Sequence, residues 1–397
     1  MMAAVEIVKD ADGFEALRDE WSELSKRSAT NEPTLDRTWV LAWWRVFGSL
    51  GGRRLRILTI RERGRLIGLV PLLSRTHWYR PGLPYRRLEL LCSGEPQEDE
   101  ICSDYIGILA DEGAEATVAR AFVDALCDRG LLGDWDELVM PSMAGDSRMP
   151  ELLAAELRRH GIDARAETTN HAPYIPLPTS FEAYLDALPS SRRYWLSRSM
   201  REVEKLGKVE LRCATTREEL AQGRKLLESL HGERWAEKGN EGGVFGSPRF
   251  RAFHDEVMPQ LFDRGALDLL WLVVDEEPIA ALYNIVWNGK TYFYQSGRRL
   301  DVPKNVRPGI AIHALAIRRA IELGHREYDF LAGESQYKVK LALDRRPLVR
   351  LRAVRSSVRE RARIISAEAL QQVASLRNEL RARVTKSIAE PRPTDDS

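Results

Sequence analysis

Apolar residues recur three and four apart over Phe14 to Arg27 and again over Leu35 to Phe47, where Trp39, Trp43 and Trp44 crowd together. That spacing predicts two packed helices. Two β-rich runs follow, Leu55 to Ile60 and Leu66 to Leu73, around Arg63-Gly64, and predict a hairpin. Leu88 to Cys92 and Tyr105 to Leu109 predict further strands, and Thr117 to Arg129 a helix closed by Gly130. Glu137 to Met140 predicts a short strand, Pro150 to His160 a helix ending at Gly161, and Tyr174 to Leu177 an extended segment.

The second half repeats this order. Arg217 to Lys238 and Pro248 to Asp263 predict helices. Leu267 to Val274 and Ile279 to Trp287 predict a hairpin around Asp275-Glu276-Glu277, and the turn Asn288-Gly289 leads to a strand at Thr291 to Ser296. Ile310 to Leu323 predicts a helix closed by Gly324, and Glu327 to Leu331 a strand. The residues at two junctions correspond as well: Asp134 to Val139 matches His325 to Phe330, and Arg61 to Gly68 matches Asp275 to Ala280.

Between the halves, Ser190 to Lys208 carries Arg192, Arg193, Arg198, Arg201, Lys205 and Lys208. It predicts a solvated helix face with Tyr194, Leu196 and Val203 packed inward, in preference to a surface on which bases stack. After Pro347, Ser356 to Lys386 predicts one long Arg-rich helix with a partial stripe of Ile365, Leu370, Val373, Leu376, Leu380 and Val384. Such a stripe calls for a cover. The body of the protein or a second copy, as a homodimer, fits it better than a membrane, because it lacks bulky aromatics. Glu390 to Ser397 is expected to fray.

Charge narrows the functional classes. The 397 residues hold 60 Lys and Arg against 59 Asp and Glu, a net charge of +1, which argues against a dedicated nucleic-acid binder. The start carries Glu6 and Lys9 where a leader needs an apolar core, and the longest apolar stretch, Leu267 to Val274, is too short to span a bilayer. A soluble, cytoplasmic protein is expected. Four Cys make no disulfide scaffold, and no CxxC or His cluster completes a zinc site, so no metal is expected. GxxxxGK[ST], GxSxG and HExxH are absent, and His231-Gly232-Glu233 lacks the PCxxC of zinc deaminases.

One junction differs between the copies. A helix that begins just after a strand offers free N–H groups to an anion. In the first copy this junction carries Asp111, Glu112 and Glu115, which repel phosphate. In the second it reads Pro303-Lys304-Asn305-Val306-Arg307-Pro308-Gly309-Ile310-Ala311, with cations at the helix start, Pro308 in its first turn, and Gly309 allowing close backbone approach. If either copy holds a phosphorylated cofactor, it is therefore expected to be the second; an ordinary capped helix start, with Gly309 packed against the sheet, is the other reading.

These segments resemble the GCN5-related N-acetyltransferase (GNAT) superfamily. Within it they resemble most the tandem BioF2-like proteins grouped with CelD-type cellulose-biosynthesis proteins and akin to the Fem aminoacyltransferases. The resemblance rests on His231 to Trp235, Gly243 to Phe245, Phe253-His254, Pro278 to Ala280, Tyr292 to Gly297, Pro308-Gly309, Tyr328 to Leu331, Gly333 and Tyr337-Lys338. It implies an α/β (α+β) fold of two tandem mixed-sheet domains with flanking helices and a C-terminal helix. The expected division is a degenerate unit at 1–178, an acyltransferase unit at 179–350, and a basic helix and tail at 351–397. Of the family's [RQ]-x-x-G-x-[GA] pyrophosphate turn, Gly309 and Ala311 match, whereas Val306 stands at the Arg/Gln position and Arg307 one place beyond.

The resemblance implies an N-acyltransferase taking acetyl-CoA or another acyl-CoA, with Asn305, Arg307, Gly309, Ile310 and Ala311 at the donor. Amide formation needs a deprotonated amine and a proton for the thiolate. His231 and Glu233 are the candidate bases, on different faces of their helix, and Tyr294 is the candidate acid. Arg234, Trp235, Tyr337 and Lys338 are candidate substrate contacts, and His254 is expected in the core. The acceptor is expected to be a primary amine on a small molecule, sugar or peptide, with a polysaccharide or cell-envelope role implied by the resemblance alone. Two alternatives stay open: a Fem-like transferase using aminoacyl-tRNA, and a non-catalytic binding or assembly protein that kept the fold.

Overall fold

The computed structural model describes residues 3–80, 82–236, 242–356 and 359–364. The side chain of Arg234, and the expected C-terminal helix with its stripe from Ile365 onward, lie outside the described residues.

The chain opens with β1 (Ala4–Val8), α1 (Ala11–Ala16), α2 (Arg18–Arg27) and α3 (Arg37–Phe47). A meander of β2 (Arg54–Glu62), β3 (Arg65–Arg80) and β4 (Leu83–Leu90) follows. Then come β5 (Leu109–Ala110), α4 (Glu115–Cys127), α5 (Arg129–Leu132), β6 (Glu137–Ala144), α6 (Met149–Arg159) and β7 (Asp163–Pro176). Helices α7 (Phe181–Ala187) and α8 (Ser190–Glu204) lead to β8 (Val209–Cys213), α9 (Arg217–Ala236) and α10 (Pro248–Asp263). Strands β9 (Leu267–Val274), β10 (Glu277–Trp287) and β11 (Lys290–Arg298) precede α11 (Pro308–Glu322), β12 (Glu327–Asp329), α12 (Gln336–Leu341) and β13 (Asp344–Val354).

One mixed sheet holds the strands in the order β1-β2-β3-β4-β6-β13-β7-β12-β11-β10-β9-β8, with β5 paired to β3. Read inward from either edge, the two halves follow the same plan. Three antiparallel pairings lead to a strand with a parallel neighbour, β4 beside β6 and β11 beside β12. At the centre the halves exchange strands. β7 ends the first half yet pairs with β12, and β13 ends the second yet pairs with β6; the two also pair with each other, all antiparallel. The matched segments 134–139 and 325–330 fall at β6 and β12, the same place in each half.

Burial explains the patterns. Every residue of β9 is buried, because helices cover both faces of the second half of the sheet. Leu269, Trp271, Tyr283 and Tyr294 face one core, shared with α9, α10 and Trp39 of α3. Leu270, Leu272, Leu282 and Phe293 face another, under α7, α8 and α11. The hairpin from β10 to β11 turns at Asn288 and Gly289, whose φ angles of 48° and 69° suit these two residues.

β1, β8, most of β7, and β13 were not expected as strands. β13 interleaves Arg345, Arg346, Arg350 and Arg352 with Leu348, Leu351 and Ala353 on its core-facing side, and it runs across position 350 to Val354.

The halves are joined by aromatic contacts and ion pairs. Trp39 meets Phe253 edge-on at 4.8 Å, Trp287 Nε1 donates to Asn31 at 2.8 Å, and Arg264 pairs with Asp36 at 2.8 Å.

Candidate active site

β11 pairs with β12 from Lys290 and Glu327 only as far as Tyr292 and Asp329, yet it runs on to Arg298. Beyond that point a cleft of about 500 Å³ opens between β11, the loop after it, α8, α11 and α12. Gly297 and Arg298 come from β11, Lys304 and Arg307 from the loop, Gly309, Ile310 and His313 from α11, Trp195 from α8, and Tyr337 and Lys340 from α12. Its described lining holds four permanent cations, Arg298, Lys304, Arg307 and Lys340, and no carboxylate.

The start of α11 sits in this cleft. Pro308 holds the first helical position, and the N–H groups of Ile310 and Ala311 both turn back to the Arg307 carbonyl, at 3.0 and 3.1 Å. At the second helical position, the Gly309 N–H has no acceptor within the helix. A Cβ on Gly309 would meet only Arg298 Cδ, at 3.2 Å, so the glycine leaves the backbone open to the cleft. Trp195 forms a flat wall, with the Arg307 guanidinium 6.0 Å and Lys340 Nζ 5.3 Å from its ring.

Val306 stands where the turn expected from the resemblance has Arg or Gln. Its side chain is buried in the core beneath α11, and its N–H donates to the Pro303 carbonyl at 2.8 Å. Val306 also borders the cleft, and the next residue, Arg307, brings the charge to its lining. Asn305 donates to Glu202 of α8 at 2.5 Å and so ties the loop to that helix. Ala311 is buried under the turn.

The first half lacks such a cleft chemistry. At the start of α4, Asp111 already pairs with Arg27 at 2.7 Å and Arg65 at 2.9 Å, and Glu115 occupies the first turn. The contrast expected between the two junctions is present in the side chains.

The other expected site residues divide into three groups. Tyr337 lines the cleft. His231 is buried on α9, on the opposite face of β11, and its Nδ1 lies 2.8 Å from the Ser296 carbonyl, so Nδ1 carries the proton. Trp235 lies beside His231, with ring centroids 6.0 Å apart. Glu233 is exposed on the outer face of the same helix and does not approach the cleft. Tyr294 also faces away. Its hydroxyl donates to the Ile101 carbonyl at 2.6 Å and accepts from His254 Nε2 at 3.1 Å. Burial pushes the Tyr294 hydroxyl far above its ordinary range and the His254 imidazole well below its own, so both are neutral. His254 is a core residue, as expected. Lys338 turns away from the cleft; its Nζ donates to the Ala332 carbonyl at 2.8 Å, and burial lowers its pKa against the pull of Asp104 and Asp329.

Arg298, His313 and Lys340 were not singled out from the sequence, although all three line the cleft. The nearest signal for Lys340 was its position two residues after Lys338 on one short helix. His313 stands one turn past Gly309, packed edge-on to Phe293 at 4.5 Å. Among the described residues, no group of three or more His, Cys, Asp or Glu is placed to hold a metal, and no helix is long and apolar enough to cross a membrane.

Residues 190–339 match the family model described as Acetyltransferase (GNAT) domain. That segment runs from the start of α8 into α12 and contains every cleft residue except Lys340. The cleft therefore lies within the segment that is similar to this family model. No curated protein sequence matches the chain.

Solved structures share the fold across most of the chain. FemX is 11% identical with a TM-score of 0.56, over 86% of this chain and 96% of that one. The C-terminal domain (DUF2156) of a putative lysylphosphatidylglycerol synthetase from Agrobacterium fabrum is 12% identical with a TM-score of 0.50, over 90% and 97%. A conserved protein of unknown function from Bacteroides thetaiotaomicron is 9% identical with a TM-score of 0.52, over 89% and 100%.

Proposed function

We propose that the protein is an N-acyltransferase that takes acyl-CoA into the cationic cleft and passes the acyl group to a primary amine by direct attack. The observation that carries this reading is the convergence of Arg298, Lys304, Arg307 and Lys340 on the start of α11 in the described lining of the cleft. Diphosphate and phosphate groups are favoured where helix N–H groups and cationic side chains converge. In this reading Arg298, Lys304, Arg307 and Lys340 neutralise the phosphates, the Gly309 N–H donates to one of them, and Trp195 offers a face to the nucleotide. Ile310 and Tyr337 complete the wall. His231 positions the Ser296 carbonyl, and residues 179–350 form the catalytic unit with 1–178 as its degenerate partner.

Transfer forms the bond between amine nitrogen and thioester carbon and breaks the bond from carbon to sulfur. The proton leaving the nitrogen ends on the thiolate. No protein nucleophile is needed.

Calorimetric titration with acetyl-CoA tests this reading. The wild-type chain is expected to bind. Gly309→Glu sets a carboxylate among the cations, where only the flexible end of Arg298 must give way, and is expected to weaken binding by about a hundredfold or more. Equal binding by the two proteins overturns the assignment.

A second reading, an aminoacyl-tRNA donor, is favoured by α8, which carries Arg192, Arg193, Arg198 and Arg201 on the helix that supplies Trp195. Binding of tRNA with a steep salt dependence, in the absence of any heat with acetyl-CoA, would select it.

A further inference from the structure

One arginine stands at the rim of the cationic cleft without a partner. α8 places Trp195 in the cleft wall and, two turns on, sets Glu202 against Asn305 of the loop before α11. At about 100° per residue, Arg198 falls beside both on the helix surface, about 60° round from Trp195 and about 40° from Glu202. Residues three and four apart on a helix are neighbours. Arg198 therefore lies on the loop side of α8, next to the cleft and outside its lining.

The Arg198 side chain is exposed, and among the described residues it makes no hydrogen bond or ion pair. Glu202 feels its charge, but that carboxylate already accepts from Lys205 at 2.9 Å and from Asn305 at 2.5 Å. The arginines one turn earlier on α8 are engaged: Arg193 pairs with Asp186 at 2.5 Å, and Arg192 donates to the Val339 carbonyl at 3.0 Å. Lys304 precedes Asn305 in the loop and is exposed in the cleft lining. The bridge from Asn305 to Glu202 thus brings Lys304 and Arg198 to the same rim.

The chemistry of a nucleotide donor gives this rim a task. The ribose of CoA carries adenine, the diphosphate arm and a 3′-phosphate on one ring. With the diphosphate at the start of α11 and the base on Trp195, the ribose spans the gap between them, and the 3′-phosphate projects from it. A phosphomonoester carries about −1.5 to −2 charges near neutral pH and three strong acceptor oxygens. Arg307 and Lys340 already lie over the Trp195 ring, and Arg298 lies against Gly309. Arg198 offers a planar fork that meets two phosphate oxygens at once, from a position where no protein acceptor competes for it.

We propose that Arg198, with Lys304 across the rim, holds the 3′-phosphate of the donor. This rests on the acyl-CoA reading of the cleft and narrows its substrate class. The donor is a thioester of a 3′-phosphorylated nucleotide, and the same thioester without that phosphate is a poorer one.

Calorimetric titration of the full chain at low salt, with acetyl-CoA and with 3′-dephospho-acetyl-CoA, tests the proposal. The wild-type chain is expected to bind the 3′-phosphorylated donor about tenfold to a hundredfold more tightly, the range for hydrogen bonds between charged groups. Arg198→Ala is expected to weaken acetyl-CoA at least severalfold and to leave the dephospho form as in the wild-type chain. Arg198→Lys keeps the charge without the fork and is expected to recover part of the preference. The melting temperature is expected to stay the same in both variants, because the exposed side chain holds nothing in the free protein. Equal affinity of the wild-type chain for the two nucleotides would overturn the proposal and leave the acyl-CoA reading standing. A preference that Arg198→Ala does not reduce, or equal weakening of both nucleotides by that change, would overturn it as well. No heat with either nucleotide would remove the acyl-CoA reading and this proposal with it.

Discussion

His231 Nδ1 donates to the Ser296 carbonyl across 2.8 Å, joining α9 to the end of β11 that walls the cationic cleft. The contact is close-packed as well as polar. A Cβ on Gly297 would fall 2.6 Å from the His231 backbone nitrogen, so helix and strand touch here. His231 therefore acts on the site by holding a strand. His231→Leu is expected to lose about 1–2 kcal/mol of stability in urea titration, the usual cost of an abandoned buried acceptor. It should also weaken acetyl-CoA several-fold, and His231→Asn, which keeps an N–H near the same place, should recover much of both. The pH profile of transfer between pH ~6 and ~8, the range in which a histidine base titrates, is expected to be the same in the His231→Asn variant and the wild-type protein. Loss of the acidic limb, on which protonation silences a histidine base, would make His231 the base instead.

The cationic cleft predicts a graded response to charge. Arg307 and Lys340 flank Trp195 and face no carboxylate in the cleft lining. Arg307→Glu and Lys340→Glu are each expected to weaken acetyl-CoA by about tenfold or more at low salt, and by less at high salt, where exposed charges are screened. Trp195→Ala is expected to weaken it without changing the salt slope. Calorimetry at two ionic strengths separates these effects.

Arg346 holds the exchanged strands together. From β13 it reaches Asp329 at 3.1 Å, Glu327 at 3.0 Å and Asp146, with only a tenth of its side chain exposed. Burial raises the Asp329 carboxyl to about 6, although Tyr105 and the Leu331 N–H donate to it. Arg346→Met would leave buried carboxylates facing one another, a change that typically costs about 3–5 kcal/mol. Asp329→Asn in the same chain should return part of that loss, since it removes the most buried charge. Urea titration of the single and double variants checks this, and additive losses would refute the coupling.

The patterned parts of this fold were legible, because hydrophobic period reports which face is covered. β9, β10 and α10 fall where their residues predict them. The exchanged strands were not legible. β13 pairs with residues some two hundred positions earlier, and its arginines alternate toward acidic neighbours such as Glu137 and Asp329, so it reads as a basic stretch. At the site, the contrast between Asp111 and Arg307 was readable from charge alone. The helix residues His231 and Glu233 were placed correctly on different faces, but nothing local indicates that β11 presents its other face to the cleft. Val306 looked like a defect in a phosphate turn and is a core residue.

Glu360 gives the last prediction, on pH. It lies in the helical turn at 359–364, its side chain 14% exposed, and accepts from Arg352, Arg363 and Tyr85. Burial works to raise its pKa, but the hydrogen bonds from Arg363, Arg352 and Tyr85 outweigh it and hold the carboxyl at about 2. In the unfolded chain a glutamate titrates near ~4.3. The folded value is therefore depressed, so the unfolded state binds more protons as pH falls. The stabilisation from Glu360 is present in full above about pH 5 and disappears as pH drops toward 2. Glu360→Gln is expected to cost about 1–2 kcal/mol at pH 7, the scale of hydrogen bonds to a charged group, and much less at pH 3. Urea titrations of both proteins at pH 7, 5 and 3 measure the gap. A gap that stays constant down to pH 3 would show that the carboxylate is not what anchors this turn to β4 and β13.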